Sequence, residues 1–503
     1  MRDTEIDEAV RRGLRRVLSE PELFSRYIIG RALRPYQSEA MRAALASVDH
    51  GEGRTLTVMF ARQMGKNELS AHLECLLLNR YQQRGGTIVK TAPTYHPQTI
   101  NSKLRLLAAL DNPLNEGQWW VREGAMVGLG KASCLFVSGH EEARVVGLTA
   151  SLLLEVDEAQ DMDEAKYLKD FRPMASATNA TTILYGTAWT GNTLLEKQAA
   201  LNRDLERQDG VKRHIQYDWQ ALADLSPAYR AFVEGERLRL GEDHPLFRTQ
   251  YKLEALAQQA GFLNARQRAQ MVGDHPRQHR PQEGKEYVAG IDLAGEDETA
   301  ADAVLRARKP RRDSVVVTIA EIDRQPPTDV LLEPRLRIVE HYWWTGHKHP
   351  ELYATLVDVL RNVWACRRVV VDASGVGAGV ASFLAGALGS RLVEQFVFAA
   401  RSKSDLGYAL LAAVNGGRVK MYGCQRPDDR LTTDDCAEFW YEMEKAQSEM
   451  RAGQTLNFYV PEKDGHDDFL MSLALCVRAA QGCTVAPAGA LTTPQRIYDD
   501  GRY

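Results

Sequence analysis

The segment Leu56–Leu78, LTVMFARQMGKNELSAHLECLLL, decides how the first half of the chain reads. Its opening LTVMF is apolar and β-branched, which predicts a buried strand, and the leucine-rich run from Lys66 predicts a helix. Between them, Gly65 and Lys66 stand at the turn. Backbone N–H groups at such a helix N-terminus cradle phosphates, and the lysine reaches the β and γ oxygens, so this is where a P-loop must sit. Two positions depart from the usual pattern. Phe60 replaces the first glycine, and Asn67 replaces the Ser or Thr that binds magnesium, leaving an amide oxygen as a weaker ligand.

A GK pair after a strand carries little weight alone, and a second element supplies the rest. Residues 151–160, SLLLEVDEAQ, predict a strand ending in Asp157 and Glu158. One carboxylate there can hold magnesium while the next polarises the attacking water. Three further residues fit the same engine. Tyr36 and Gln37, in LRPYQSEA, can read adenine by stacking and hydrogen bonding, and Thr187 follows the strand TTILYG where it can sense the nucleotide. Arg144 can stabilise developing γ-phosphate charge as an arginine finger, within its own subunit or into a neighbour. Glu155, inside the apolar strand, has no assigned role.

Around this centre, LTVMF, TIVKTAP, CLFVSG, SLLLEVDE and TTILYGTA alternate with helical lengths after a helical start through about residue 50. Such spacing implies an α/β domain with a mainly parallel sheet and flanking helices over residues 1–255. Residues 256–284 are rich in Gln, Arg, His and Pro around MVGDHPRQHRPQEGK and read as a linker. Strands resume in YVAGIDLAG, DSVVVTIAEI, RLRIVEHYWW and RRVVVDASG, with a late LNFYV, so residues 285–482 predict a mixed sheet with helices. The tail 483–503 has the composition of an unfolded segment.

At 503 residues, 44% hydrophobic and 26% charged, the chain is long enough for two cores and globular in composition. The opening MRDTEIDEAVRRGLRR lacks an apolar core, and the longest uncharged stretch, Ala373–Ser390, fits a soluble helix. Neither a signal peptide nor a membrane span is expected. Seven cysteines without a CxxC pair argue against a zinc site or a disulfide framework and for reduced, buried thiols. The formal charge of −4 decides little about nucleic acid, because clusters of acidic metal ligands would mask a basic face.

Those acids are visible in the second half. Asp292 lies in YVAGIDLAG, Asp372 ends RRVVVD, and Asp464, Asp467 and Asp468 precede or begin a predicted helix in DGHDDFLMSLALCV. Carboxylates on neighbouring elements of one sheet can converge on two magnesium or manganese ions, as phosphodiester cleavage requires. His341, His347 and His349, irregularly spaced beside Tyr342, Trp343 and Trp344, receive no ligand role. The basic run RARKPRRD, Arg306–Asp313, reads as a hairpin able to touch a DNA backbone.

Taken in order, LRPYQ, ARQMGKNE, TAPTYHPQ and VDEAQ resemble the large terminase subunit of tailed bacteriophages, over Leu33 to about Val477. The resemblance implies a P-loop ATPase that drives double-stranded DNA into a procapsid, joined to an RNase H-like nuclease that cuts concatemeric DNA. It places Arg62 and Gln63 with Gly65, Lys66, Asn67 and Asp157 in an ATP-Mg2+ site. It makes Asp292 and Asp372 nuclease ligands for two Mg2+ or Mn2+ ions, with Asp467 or Asp468 as the third and Asp464 as an auxiliary. It also implies a portal protein, a small terminase subunit and a ring of copies, pentameric when packaging. The expected setting is the host cytoplasm and the procapsid portal, not the finished virion. Two other readings stay open: an ATP-dependent helicase with a degenerate, non-cutting nuclease domain, and a non-catalytic adaptor with a dead P-loop.

Overall fold

The computed structural model describes the chain except residues 1, 141, 144, 146, 294–313, 324–332, 346–348, 376, 425–433, 482 and 484–503. Arg144, His347, the RARKPRRD run and nearly all of the expected unfolded tail therefore lie outside the described residues. The chain divides into two compact units, one holding Met1–Ala231 and Arg248–Leu256, the other Phe232–Phe247 and the described residues from Ala257 to Cys483.

The first unit is built on one eight-stranded sheet: β1 (Thr55–Phe60), β2 (Gly86–Ala92), β3 (Trp119–Arg122), β4 (Met126–Leu129), β5 (Ala132–Ser138), β6 (Leu153–Val156), β7 (Thr181–Gly186) and β8 (His214–Tyr217). Their order is β3-β4-β5-β2-β6-β7-β1-β8. From β5 to β8 every pairing is parallel, and β3 and β4 extend the sheet antiparallel. β6 and β7 are buried on both faces, which is why LLEV and TTILYG are largely apolar. A core of Leu154, Val156, Tyr167, Phe171, Leu184 and Leu195 packs one face. β7 lies between β1 and β6, so the loop after β1 and the acids after β6 open at the same sheet edge, about two strand spacings (~10 Å) apart.

The second unit carries a six-stranded mixed sheet of β10 (Glu286–Asp292), β11 (Ser314–Asp323), β12 (Arg335–Thr345), β13 (Arg368–Asp372), β14 (Val393–Phe396) and β15 (Val419–Met421), ordered β14-β13-β10-β11-β12-β15. The mixed α/β class expected from sequence is what both units show. A three-stranded antiparallel sheet of β9 (Gln259–Gly261), β16 (Gln447–Arg451) and β17 (Thr455–Tyr459) belongs to the same unit. The stretch 256–284 thus supplies β9 and the helix Ala265–Met271 to this unit.

One cysteine expectation is corrected. Cys424 and Cys436 form a disulfide, because β15 and the helix Asp434–Lys445 bring their Cα atoms to 6.4 Å; Cys75, Cys134, Cys366, Cys476 and Cys483 are buried thiols outside it. Among the described residues no helix is long and apolar enough to cross a membrane.

Candidate nucleotide and metal sites

The turn after β1 is shaped by its neighbours. Gly65 caps the helix Lys66–Tyr81 with φ +85°, and a Cβ there would stand 2.7 Å from Gln37 Nε2, so glycine is required twice over. Gln37 itself is buried: its amide donates to Gly65 O at 3.0 Å while its Oε1 accepts from Arg34 N at 2.9 Å. Tyr36 donates its hydroxyl to Met64 O at 2.9 Å. Both residues thus reach the loop, as buttresses of its backbone. Phe60 is explained in the same way, since its ring packs edge-on against Tyr36 at 5.0 Å. What the loop needs at that position is the Phe60 carbonyl, which accepts from Lys66 Nζ at 3.2 Å.

Arg62 and Gln63 are exposed on the loop. Gln63 has φ +65°, and Arg62 donates to Gln250 Oε1 at 2.6 Å. Asn67 does not stand apart from the acids. In the amide orientation that satisfies its neighbours, its nitrogen donates to Asp157 at 2.8 and 3.3 Å. Loop and acid strand therefore meet.

Asp157 is buried, and burial first, then Glu158, push its pKa up to about 6, with Lys90 and Lys66 pulling the other way. Glu158 adopts φ +47°, a backbone state rare for a side-chain-bearing residue and one that concentrates at functional sites. Gln160 holds it, donating to Glu158 Oε2 at 2.8 Å and accepting from the Thr187 amide at 3.2 Å. Gln160 was legible in VDEAQ only as part of a string; its bridging role needs the register of β6 and β7. Beneath lies the partner set of Glu155. It accepts from Ser70 Oγ at 2.7 Å and Tyr185 Oη at 2.9 Å, and sits opposite Lys90, which pairs with buried Glu74 at 3.0 Å.

In the second unit, β10 and β13 are parallel neighbours with Ile291 opposite Val371, so Asp292 and Asp372 end adjacent strands side by side. The helix Asp468–Gln481 crosses β10 at Gly290, where a Cβ would meet Cys476 N and Ser472 O at 2.2 Å. That close approach delivers Asp467 and Asp468 to the same strand end. Burial and then the charges of Asp468, Asp467, Asp372 and Glu442 hold the Asp292 carboxyl far above its ordinary range. Asp372 is raised by burial against a 2.8 Å hydrogen bond from Ser374 N, and Asp467 is raised by burial with Lys403 opposing. Asp464 lies in the turn after β17, its amide bonded to Pro461 O.

Sequence reading missed two members. Glu442, on the helix Asp434–Lys445, is buried, pushed well up by burial and by Asp468 and Asp467, and accepts from Leu470 N at 2.9 Å. Lys403 lies on the helix Ala400–Asn415. Both sit on amphipathic helices among other charges, where nothing in the pattern marks them. Among the described residues, no three His, Cys, Asp or Glu groups are drawn close enough to grip an ion as they stand. The donor chemistry nevertheless fits hard divalent cations: carboxylates only, with Asp292 and Glu442 made harder to ionise by the neighbouring Asp467 and Asp468.

No protein-family model matches the chain, and no curated protein does. Solved structures do. The large terminase from a thermophilic bacteriophage, in its crystal form 2, is similar over 88% of this chain and 98% of that one, with a TM-score of 0.52 at 12% identity. The chain has the fold of the large terminases. The same phage enzyme in complex with ADP gives a TM-score of 0.51 at 12% identity, covering 89% of this chain and 100% of that one. The HK97 bacteriophage large terminase covers 93% and 99% at 14% identity with a TM-score of 0.39. In this terminase fold the β1 turn and the β10–β13 strand ends carry the two groups of residues described above.

Proposed function

We propose that the chain is the large subunit of a phage or prophage terminase, an ATPase that translocates double-stranded DNA into a procapsid and a metal-dependent endonuclease that cuts concatemeric DNA. The observation that carries this reading is the pairing, in one chain of terminase fold, of a lysine-bearing turn bonded to Asp157 with a buried carboxylate cluster at Asp292. The thermophilic phage terminase with ADP bound supports nucleotide as the ligand of the first unit.

At the first site Lys66 turns from the Phe60 carbonyl to the phosphates, and Arg62 and Gln63 meet them from the exposed side of the loop. Asn67 and Asp157 are the pair that would hold Mg2+, which neutralises phosphate charge when bound. Glu158, fixed by Gln160, orients the attacking water, and Thr187 is tied to the same glutamine. Arg144 keeps the finger role that the terminase resemblance implies. At the second site Asp292, Asp372, Asp467 and Asp468 would hold Mg2+ or Mn2+, which supply an activated water and stabilise the leaving oxygen. Portal protein, small terminase subunit and a ring of copies complete the proposed machine, working in the host cytoplasm.

The test is direct. The full-length protein should hydrolyse ATP in Mg2+ and nick or cut plasmid DNA in Mg2+ or Mn2+ but not in EDTA. ATP turnover with no cleavage under any divalent ion would leave a motor that does not cut, and the absence of both would end the reading.

A further inference from the structure

We infer that Lys403 is a substrate-contacting residue of the carboxylate site, its ammonium holding a phosphate of the DNA backbone beside the bond that is cut. The inference rests on the nuclease reading above. It begins with how the lysine is placed.

On the helix Ala400–Asn415, Lys403, Ser404 and Gly407 fall on one face, turned to β17. Ser404 Oγ accepts from Leu456 N at 3.0 Å, and a Cβ on Gly407 would stand 2.7 Å from the Phe458 ring, so helix and strand are in close contact. Lys403 lays its Nζ 5.5 Å from the centre of that fully buried ring. Two residues further along, the Val460 backbone favours the ionised form of Asp467. The lysine is thus fixed over the strand that leads into the acidic run, and its charge acts on Asp467 and Asp292.

It does not close on them. Among the described residues the Lys403 ammonium makes no ion pair and donates no hydrogen bond. Elsewhere in this chain cations that neutralise sheltered acids come into contact. Lys90 meets Glu74 at 3.0 Å, and Arg277 meets Glu340 at 2.5 Å and Asp435 at 2.7 Å. A lysine kept only for charge balance gains most from such contact, because a sheltered ammonium without a partner is costly. One held back from carboxylates has its three donors left for an anion between them. The anion that suits both a lysine and carboxylates charged with divalent cations is a phosphodiester.

The experiment uses full-length protein carrying Lys403→Met, which keeps the apolar stem on Phe458, and Lys403→Arg, with Asp292→Ala as control. We expect Lys403→Met to cut plasmid in Mn2+ about 100-fold more slowly, the scale of losing one charged contact at the reacting phosphate, and Lys403→Arg to recover much of that loss. In Ca2+, anisotropy of a short labelled duplex over a salt series should show the slope of log K against log salt reduced by about 0.9 in Lys403→Met, one phosphate contact. Cleavage by Lys403→Met within twofold of the unsubstituted protein, with Asp292→Ala inactive, overturns the inference and leaves the nuclease reading intact. Slower cleavage with an unchanged salt slope and a lowered melting midpoint also overturns it, as a packing role. If the unsubstituted protein and Asp292→Ala are equally silent, the nuclease reading fails and the inference with it.

Discussion

The two sites solve opposite electrostatic problems. In the first unit the buried Asp157 is answered by the chain's own cations, Lys66 on the turn and Lys90 on β2, and by the Asn67 amide. In the second, Asp292 is surrounded by Asp468, Asp467, Asp372 and Glu442, and among the described residues Lys403 acts on the group from beyond ion-pair contact, with His466 also acting on Asp467. The lesson is one of pre-organisation. On the proposed reading, the first site is assembled by the protein before a nucleotide arrives, whereas the carboxylate site is a concentration of like charge that divalent cations would relieve.

The largest effect that separates the two concerns Lys66. Lys66→Ala should lower ATP turnover by at least about 100-fold, because the phosphates lose their charged partner, with plasmid cleavage in Mn2+ within twofold of normal. A parallel loss of cleavage would erase the distinction between the sites. A smaller effect sharpens it. Mn2+ at 100 times its dissociation constant should stabilise the protein by about 2.7 kcal/mol, read as a shift in urea midpoint. Asp292→Asn should abolish that shift and also raise the metal-free midpoint, since one member of the repelling group is gone. A metal-free midpoint lowered by Asp292→Asn contradicts the account of the cluster as strained by like charge.

Acid sensitivity in the second unit is a further expected effect, independent of the two sites. His244 accepts from Leu246 N at 3.2 Å and contacts Tyr408 O at 3.1 Å, a pairing that suits the neutral ring, and burial pushes its pKa down to about 4. His341, enclosed by Phe439, Phe469 and Tyr422, is pushed down to about 3 by burial. The unfolded chain takes up these protons near the ordinary histidine value while the fold refuses them. Stability is therefore present above pH ~6.5 and lost as pH falls toward 4, by about 2 kcal/mol per histidine. Urea midpoints at pH 7.5 and pH 5 should differ accordingly, and equal midpoints would contradict the assignment.

Much of this architecture could be read from residue pattern, for a physical reason. Strands buried on both faces, such as β1, β6, β7 and β13, are mostly apolar, so the acids at the ends of β6 and β13 stand out. β3 and β4, at the antiparallel end of the first sheet, were not legible, nor were the QSEMR strand β16 and the HIQY strand β8, which are short or carry polar residues. The same division holds within the sites. Asp157, Asp292 and Asp372 are strand-end acids, while Glu442 and Lys403 reach the cluster from helices whose polar residues look like any solvated face. Glu155 was visible but unexplained until register placed it against Lys90. Tyr36 and Gln37 stood out by position as adenine-reading candidates, and the three-dimensional contacts show them engaged instead with the Met64 and Gly65 carbonyls.

The central claim is that one chain carries two separable chemistries, and a crossed assay tests it most directly: ATP turnover and Mn2+-dependent plasmid cleavage on Glu158→Gln and Asp292→Ala. Glu158→Gln should lose ATP turnover by about 100-fold or more while still cutting, and Asp292→Ala should stop cutting while hydrolysing ATP at the unsubstituted rate. Undiminished hydrolysis by Glu158→Gln, or undiminished cleavage by Asp292→Ala, would contradict the account.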